Sequence, residues 1–488
     1  MNITAIHSEH ARLRPDQAAI EDGARIVTYG ELEAVTNAFA ANLQAAGIAP
    51  GDRVAVMLPD TADHLITLCA LARLGAVIYS LVPGATEPGI ANSLKSMSVK
   101  AVVADQDHPA LAAIGRLSVA DLSGPPALPF VPPDMVGDDP VMLVQTSATT
   151  GAPKFFTRSH GQSAEWSRSY AACQELTPAD RCISLVGMSF HAGLSMNFTM
   201  LHAGGTVVVP RYRNLDEFVA QVRDARITYL KLTPAYLGAL LEHAAGKGLL
   251  FPGLRLLSVT TAPVANAQRR LARERLTPDI REMFGTNETG LLLTARPADQ
   301  DAHPEAIGRA VDGIEAVVVD ADDTPLPAGE VGYLRFRGPG FTDAYLNAPE
   351  EGRRAFRDGW FYPGDLAAMN DAGYVFFKGR ADDIINNAGV KFYPIEVETV
   401  LLAHPEVVEA AVFGWPPPPH GEVAVACLVT RSALTARDLR QFSARRMAAH
   451  KIPHAFLLVP EMPKNPMGKI LKSRLKQEFR QQINERLR

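Results

Sequence analysis

Short apolar runs alternate with helix-period segments through the first 130 residues, and this alternation constrains the chain more than any other feature. Residues 29–46 carry apolar side chains at helical spacing, whereas residues 53–58 make a run short enough for a buried strand. The order returns later: residues 205–210 read as a strand, 215–226 as an amphipathic helix and 229–232 as another strand. Strand–helix–strand order implies parallel pairing, with helices on the sheet faces. An α/β fold with parallel-sheet lobes is therefore expected for the N-terminal part.

From residue 316 to 379 the character changes to short alternating strands, at 333–337 and 374–378, with Gly and Pro turns between them. This predicts an antiparallel β section. Beyond Arg380 the chain reads as a compact α+β unit. A helix opens at Pro394, a favoured first-turn residue, with Val397, Val400 and Leu401 on one face. Strands at 410–413 and 423–429 and a helix over 436–450 follow, and Pro416 to Pro419 form a stiff surface loop.

Length and charge narrow the classes of function. At roughly 150 residues per domain, 488 residues suggest about three domain-sized units. A hydrophobic share of 47% and a charged share of 21% match ordinary globular chains, not disordered or coiled-coil ones. With 48 Lys+Arg against 53 Asp+Glu the net charge is −5, so no global basic field exists for nucleic acid, and no nucleic-acid partner is expected. Cys69, Cys173, Cys182 and Cys427 are scattered without a C-x-x-C pair, which disfavours a disulfide framework or a zinc site. Met1 to His10 lack a secretory pattern, and a cytoplasmic location is expected. Residues 65–85 are apolar enough to suggest a membrane span. Arg73 near their middle would cost about 2.5 to 3.5 kcal/mol there, so a buried helix leading into a buried strand is expected instead.

Five segments carry candidate chemistry. Thr146-Ser147-Ala148-Thr149-Thr150-Gly151-Ala152-Pro153-Lys154 follows a buried strand and gathers hydroxyls, backbone N–H groups and an ammonium, the donors a polyphosphate needs. It does not fit G-x-x-x-x-G-K-[ST], which disfavours a Walker-type NTPase. Phe284-Gly285-Thr286-Asn287-Glu288 supplies a carboxylate suited to a hard cation that also bridges phosphate oxygens. Tyr362-Pro363-Gly364-Asp365 supplies a carboxylate able to accept from two neighbouring hydroxyls. Gly379-Arg380-Ala381-Asp382-Asp383 precedes Gly389-Val390-Lys391, and Pro463-Lys464-Asn465-Pro466-Met467-Gly468-Lys469 lies near the C-terminus.

In this order, the five segments resemble those of the adenylate-forming superfamily: acyl-CoA synthetases, peptide-synthetase adenylation domains and luciferases. The resemblance implies a large N-terminal domain over residues 1–380, a hinge at 381–383 and a small mobile α+β C-terminal domain over 384–488. Thr146, Ser147, Thr149, Thr150, Gly151 and Lys154 would hold the phosphates of ATP, and Thr149 and Glu288 the Mg²⁺. Phe284 would stack on adenine, with Gly285, Thr261 and Ala262 beside the nucleotide. Asp365 would take the ribose hydroxyls, and Arg380 the ribose or phosphate. Asp382 would be the pivot. Lys469 would contact the acid and the α-phosphate, and Gly389 and Lys391 would face the thiol in the second step. Ala148 stands where the family usually has Gly, and Asn287 where it usually has Thr. Asn287 keeps a donor and an acceptor beside Glu288.

The acid pocket implied by the resemblance is built around Phe190, His191, Ala192 and Gly193 and around Ala262, whose small residues leave room for a ring or a chain. Amino-acid-activating relatives have an Asp where His191 stands, and an α-ammonium buried without that counter-charge would be costly. A carboxylic acid without an α-amino group, aryl or aliphatic, is expected. The acceptor would be coenzyme A or the phosphopantetheine arm of a carrier protein, and the assembly a monomer or homodimer.

Overall fold

The computed structural model describes residues 2–81, 85–146, 154–262, 264–387, 389–415, 421–464 and 470–487. Helical spacing in residues 29–46 becomes the helix Tyr29–Ala45, opened by a reciprocal capping box between Thr28 and Glu31. The membrane-like window divides into the helix Ala62–Leu74 and the strand Val77–Ser80. Arg73 in that helix is buried, and its pairing with Glu33 at 2.8 Å and Asn37 at 2.8 Å offsets the desolvation. Among the described residues no helix is long and apolar enough to cross a membrane.

Two large sheets organise the first 380 described positions. One runs Gly115–Leu117, Ala101–Ala104, Arg53–Met57, Val77–Ser80, Pro140–Thr146, Lys154–Ser159. It is parallel until its last pair, an antiparallel hairpin. The other is parallel across Ala18–Asp22, Thr206–Val208, Arg181–Ser184, Tyr229–Leu232, Leu256–Val259 and Ile280–Thr286. At Gly290–Ala295 it turns antiparallel and continues through Gly308–Ala310, Tyr374–Arg380, Asp365–Met369 and Val331–Arg337. The β section expected after residue 316 is thus an extension of the parallel sheet, because one hairpin after residue 286 reverses the chain without breaking the ladder.

Both sheets face a shared core. Val54, Val144 and Phe156 from one sheet and Val207, Tyr229 and Leu256 from the other pack with the helices Ala62–Leu74 and His191–His202. Their outer faces carry separate clusters. The fold class is α/β, as the alternation implied.

After the 3-10 turn Ala381–Asp383 the chain builds a sheet of Val407–Trp415, Val423–Thr430 and Ala455–Leu458. Pro394–Leu402 and Leu439 of Ala436–Ala444 cover one face, and Lys472–Glu478 and Arg480–Arg486 cover the other. The helix expected over 436–450 stops at Ala444. There the N–H groups of Arg446 and Met447 both return to the Ser443 carbonyl, and Met447 folds back onto the core. The Pro416 to Pro419 run lies outside the described residues.

Candidate active site

Pro140–Thr146 pairs antiparallel with Lys154–Ser159, and Thr146 pairs directly with Lys154, the first and last residues of the hydroxyl-rich segment. Ser147, Ala148, Thr149, Thr150 and Gly151 lie outside the described residues. Lys154 Nζ sits 5.1 Å from the centre of the Tyr345 ring. That tyrosine donates its hydroxyl to Glu288 Oε1 at 2.7 Å. One side chain therefore ties the lysine of the first motif to the carboxylate of the second. The hydroxyl's own ionisation is pushed upward, first by burial and then by the Glu288 charge, so it stays a donor.

Glu288 is held in place from below. Arg158 is fully buried, and its guanidinium donates to the carbonyls of Asn287 at 3.1 Å, Glu288 at 3.4 Å, Gln162 at 3.3 Å and Gly340 at 2.8 Å. Burial pushes its pKa down to about 9, and it remains a cation at neutral pH. Trp166 lies 4.5 Å from the guanidinium. Gly285 permits the tight hairpin above: a Cβ there would sit 2.0 Å from the Gly290 carbonyl oxygen. Phe284 stands 6.1 Å from Phe336, tilted by 32°.

With one oxygen engaged by Tyr345, Glu288 keeps Oε2 without a hydrogen bond among the described residues. A carboxylate oxygen free of a described hydrogen bond, on a side chain tied through Tyr345 to Lys154, would suit Mg²⁺, which takes few protein ligands and keeps waters as others. Among the described residues no cluster of three acidic, His or Cys side chains forms a fuller cage.

Thr261, in the turn after Leu256–Val259, has φ +84. A β-branched residue in the left-handed region carries strain of order 1–3 kcal/mol, and such outliers gather at functional sites. The segment is anchored by the buried Glu282, which accepts from the Val264 N–H at 3.1 Å and pairs with Arg269. Thr261 and Ala262 are exposed. Further along, Arg380 Nη1 binds Asp365 Oδ1 at 3.1 Å and its Nε binds Asp382 Oδ1 at 3.3 Å. The guanidinium thus spans the third motif and the turn at 381–383.

On the acid side, His191 opens the helix His191–His202, and Trp166 meets it edge-on at 5.1 Å. Burial, then the positive charges of Arg158 and Lys231, push its pKa well below the usual value, so the ring is neutral at pH 7. Its nitrogens lie 3.3–3.4 Å from Ser195 Oγ. Phe190 is the residue before the helix. Gly193 has a backbone reason to be glycine: a Cβ there would meet the Val186 and Gly187 carbonyl oxygens at 2.3 Å, so its smallness serves that close crossing.

The C-terminal residues divide in the same way. Gly389 and Lys391 sit at an exposed hairpin, Ile385–Asn387 with Val390–Phe392, where the Gly389 N–H donates to Asn386 Oδ1 at 3.0 Å. Lys469 lies outside the described residues, although Lys464 and Ile470 flank it across a β-bridge. Arg158, Trp166, Lys231 and Tyr345 were not singled out by sequence reasoning. Arg158 sits in a strand, where an alternating charged residue reads as solvent-facing, and no local signal marks the other three.

Residues 8–346 match the AMP-binding enzyme family, and residues 396–469 match the AMP-binding enzyme C-terminal domain. The chain belongs to the AMP-binding enzyme family, and it is an AMP-forming acid–thiol ligase. It is 30% identical over 484 residues to feruloyl-CoA synthase of Amycolatopsis sp, covering 96% of this chain and 97% of that protein. To the fatty acid–[acyl-carrier-protein] ligase ScoC of Streptomyces coeruleorubidus it is 29% identical over 510 residues, covering 98% and 95%. ATP-bound MatB from Rhodopseudomonas palustris superposes with a TM-score of 0.90 at 27% identity, covering 98% of this chain and 99% of that one.

Proposed function

We propose that the protein activates a carboxylic acid without an α-amino group and passes the acyl group to coenzyme A. In the first step a carboxylate oxygen attacks the α-phosphorus of ATP, and pyrophosphate leaves with acyl-AMP remaining. In the second a thiolate attacks the acyl carbon and AMP departs, a far better leaving group than carboxylate oxygen. The observation that carries this reading is the Lys154–Tyr345–Glu288 linkage, which assembles a cation and a metal-ready carboxylate at the end of the hydroxyl-rich segment.

Thr146, Ser147, Thr149, Thr150, Gly151 and Lys154 hold the phosphates in this reading, Phe284 and the strained turn at Thr261 and Ala262 flank the base, and Asp365 takes the ribose. Mg²⁺ on Glu288 and Thr149 supplies charge neutralisation of the phosphates when bound. Lys469 places an ammonium where carboxylate meets α-phosphate, and a positioned charge there is worth about 3 to 4 kcal/mol. Neutral His191 lies over the carboxylate end and can donate one hydrogen bond to it without adding charge. Arg380, released from Asp382 or re-formed on it, couples the nucleotide to rotation of the 384–488 domain about 381–383, which brings Gly389 and Lys391 toward the thiol.

The test is one incubation with ATP, Mg²⁺, free coenzyme A and pooled aryl and aliphatic acids, read by mass spectrometry. AMP with an acyl-CoA is the expected outcome, and ADP as the product would overturn the reading. A second acceptor is favoured by the likeness to the acyl-carrier-protein ligase. Acyl-AMP and pyrophosphate without acyl-CoA, followed by loading of an added carrier protein, would select it.

A further inference from the structure

Lys231 lies on the strand Tyr229–Leu232, opposite Ser184 and Ser258 of its two parallel neighbours, on the sheet face that looks toward the helices His160–Cys173 and His191–His202. Its Nζ is 5.0 Å from the centre of the Tyr170 ring. Tyr170 stands one helical turn from Trp166, and Trp166 touches His191. The positive charge of Lys231 is felt at the His191 ring. These residues therefore outline one wall that begins at the neutral histidine and ends at an ammonium.

That ammonium has no carboxylate and no hydrogen-bond acceptor among the described residues. Ser184 Oγ donates to the Val186 carbonyl at 2.7 Å and Ser258 Oγ to Gln174 Oε1 at 3.0 Å, while Tyr229 and Tyr170 join hydroxyls at 2.9 Å. Burial alone pulls the Lys231 pKa down to about 8. The buried Arg158 and Arg269 are by contrast supplied with acceptors: Arg158 has four carbonyls, and Arg269 has Glu282. A half-buried ammonium that no described acceptor compensates, at the end of a wall that starts at His191, is a candidate binding group for an anion.

We propose that Lys231 pairs with a second anionic group on the acid, so that the preferred substrate is a dicarboxylic acid: one carboxylate under His191 for activation, the other on Lys231 along the Trp166–Tyr170 wall. This rests on the ligase reading above and names its substrate class. A charge-assisted hydrogen bond from the ammonium is worth roughly tenfold to hundredfold in kcat/KM.

The experiment measures AMP formation with a series of straight-chain and aromatic dicarboxylic acids, each paired with the monocarboxylic acid of the same length, in wild type, Lys231→Met and Lys231→Arg. Wild type should favour one diacid over its monoacid, Lys231→Met should lower that ratio at least about tenfold, and Lys231→Arg should restore most of it. A wild-type preference for monoacids, or an equal loss of both substrates in Lys231→Met, overturns the assignment. Calorimetric binding of the best diacid in the presence of AMP needs no turnover. Lys231-dependent binding without AMP formation would keep this site and overturn the ligase reading, whereas AMP formation without any Lys231 dependence would do the reverse.

Discussion

Arg158, buried, and Lys231, half-buried, are both cations between the two sheets, and the protein treats them in opposite ways. Arg158 spends its donors on four backbone carbonyls and thereby fixes the Glu288 segment. Lys231 has an aromatic ring beneath it and no acceptor among the described residues. On the side proposed for the phosphates, the described charged groups have protein partners, Lys154 and Glu288 through Tyr345 and Arg380 through Asp365. On the acid side His191 and Lys231 face inward with weak partners or none. The difference teaches that, among the described residues, the side carrying Lys154, Glu288 and Arg380 is internally paired, whereas the side carrying His191 and Lys231 has partners left for a ligand to supply.

The largest effect that bears on this contrast is expected from Lys469→Ala. If adenylation depends on a positioned ammonium and not on the internally paired side alone, ATP–pyrophosphate exchange should fall on the order of 10²- to 10³-fold. Residual exchange near wild type would break the comparison, by showing that the phosphate side suffices.

Stability should separate the two cations by sign. Arg158→Met leaves four carbonyls short of a donor, and a loss on the order of 3 kcal/mol is expected. Lys231→Met removes an uncompensated charge, and a gain of about 1 kcal/mol is expected instead. Chemical unfolding at pH 7, without substrate, reads both. Two losses of similar size would mean that Lys231 is also a structural cation.

The smallest expected change sharpens the phosphate side. Tyr345→Phe keeps the ring under Lys154 and removes the hydroxyl from Glu288, which is worth about 1 kcal/mol, or roughly fivefold in the KM for ATP with Mg²⁺. A Mg²⁺ titration of the variant should shift to higher concentration by a similar factor. No shift would detach Glu288 from the metal.

Much of the architecture was legible because it is periodic. The helical spacing of one segment and the short apolar runs of two others placed Tyr29–Ala45, Arg53–Met57 and Tyr229–Leu232 closely. Less legible was the end of Ala436–Ala444, where helix-compatible Arg445 to His450 continue the pattern and Met447 is drawn back by the core. The sequence also could not say that the antiparallel strands extend the parallel sheet, since that depends on one tight hairpin at Gly285 and Gly290. Gly193 illustrates a similar ambiguity. A small residue in a pocket motif reads as space, and its smallness also serves the close crossing of the 186–187 backbone.

Motifs are legible in a sequence because their chemistry is local: hydroxyls, a lysine and a glycine within nine positions gather the donors a polyphosphate needs, wherever the rest of the chain goes. The α/β class, the order of the five segments and the absence of a counter-charge for an α-ammonium at His191 follow from such local signals. Partners that are distant in the chain are decided by tertiary structure alone. Arg158 meets Gly340 across 182 positions, Tyr345 meets Glu288 across 57, and the charge of Lys231, on the strand Tyr229–Leu232, reaches His191 at the start of the helix His191–His202. No spacing rule encodes those meetings, because what selects them is the desolvation of a charge, and a charge has no desolvation cost until the chain has closed around it.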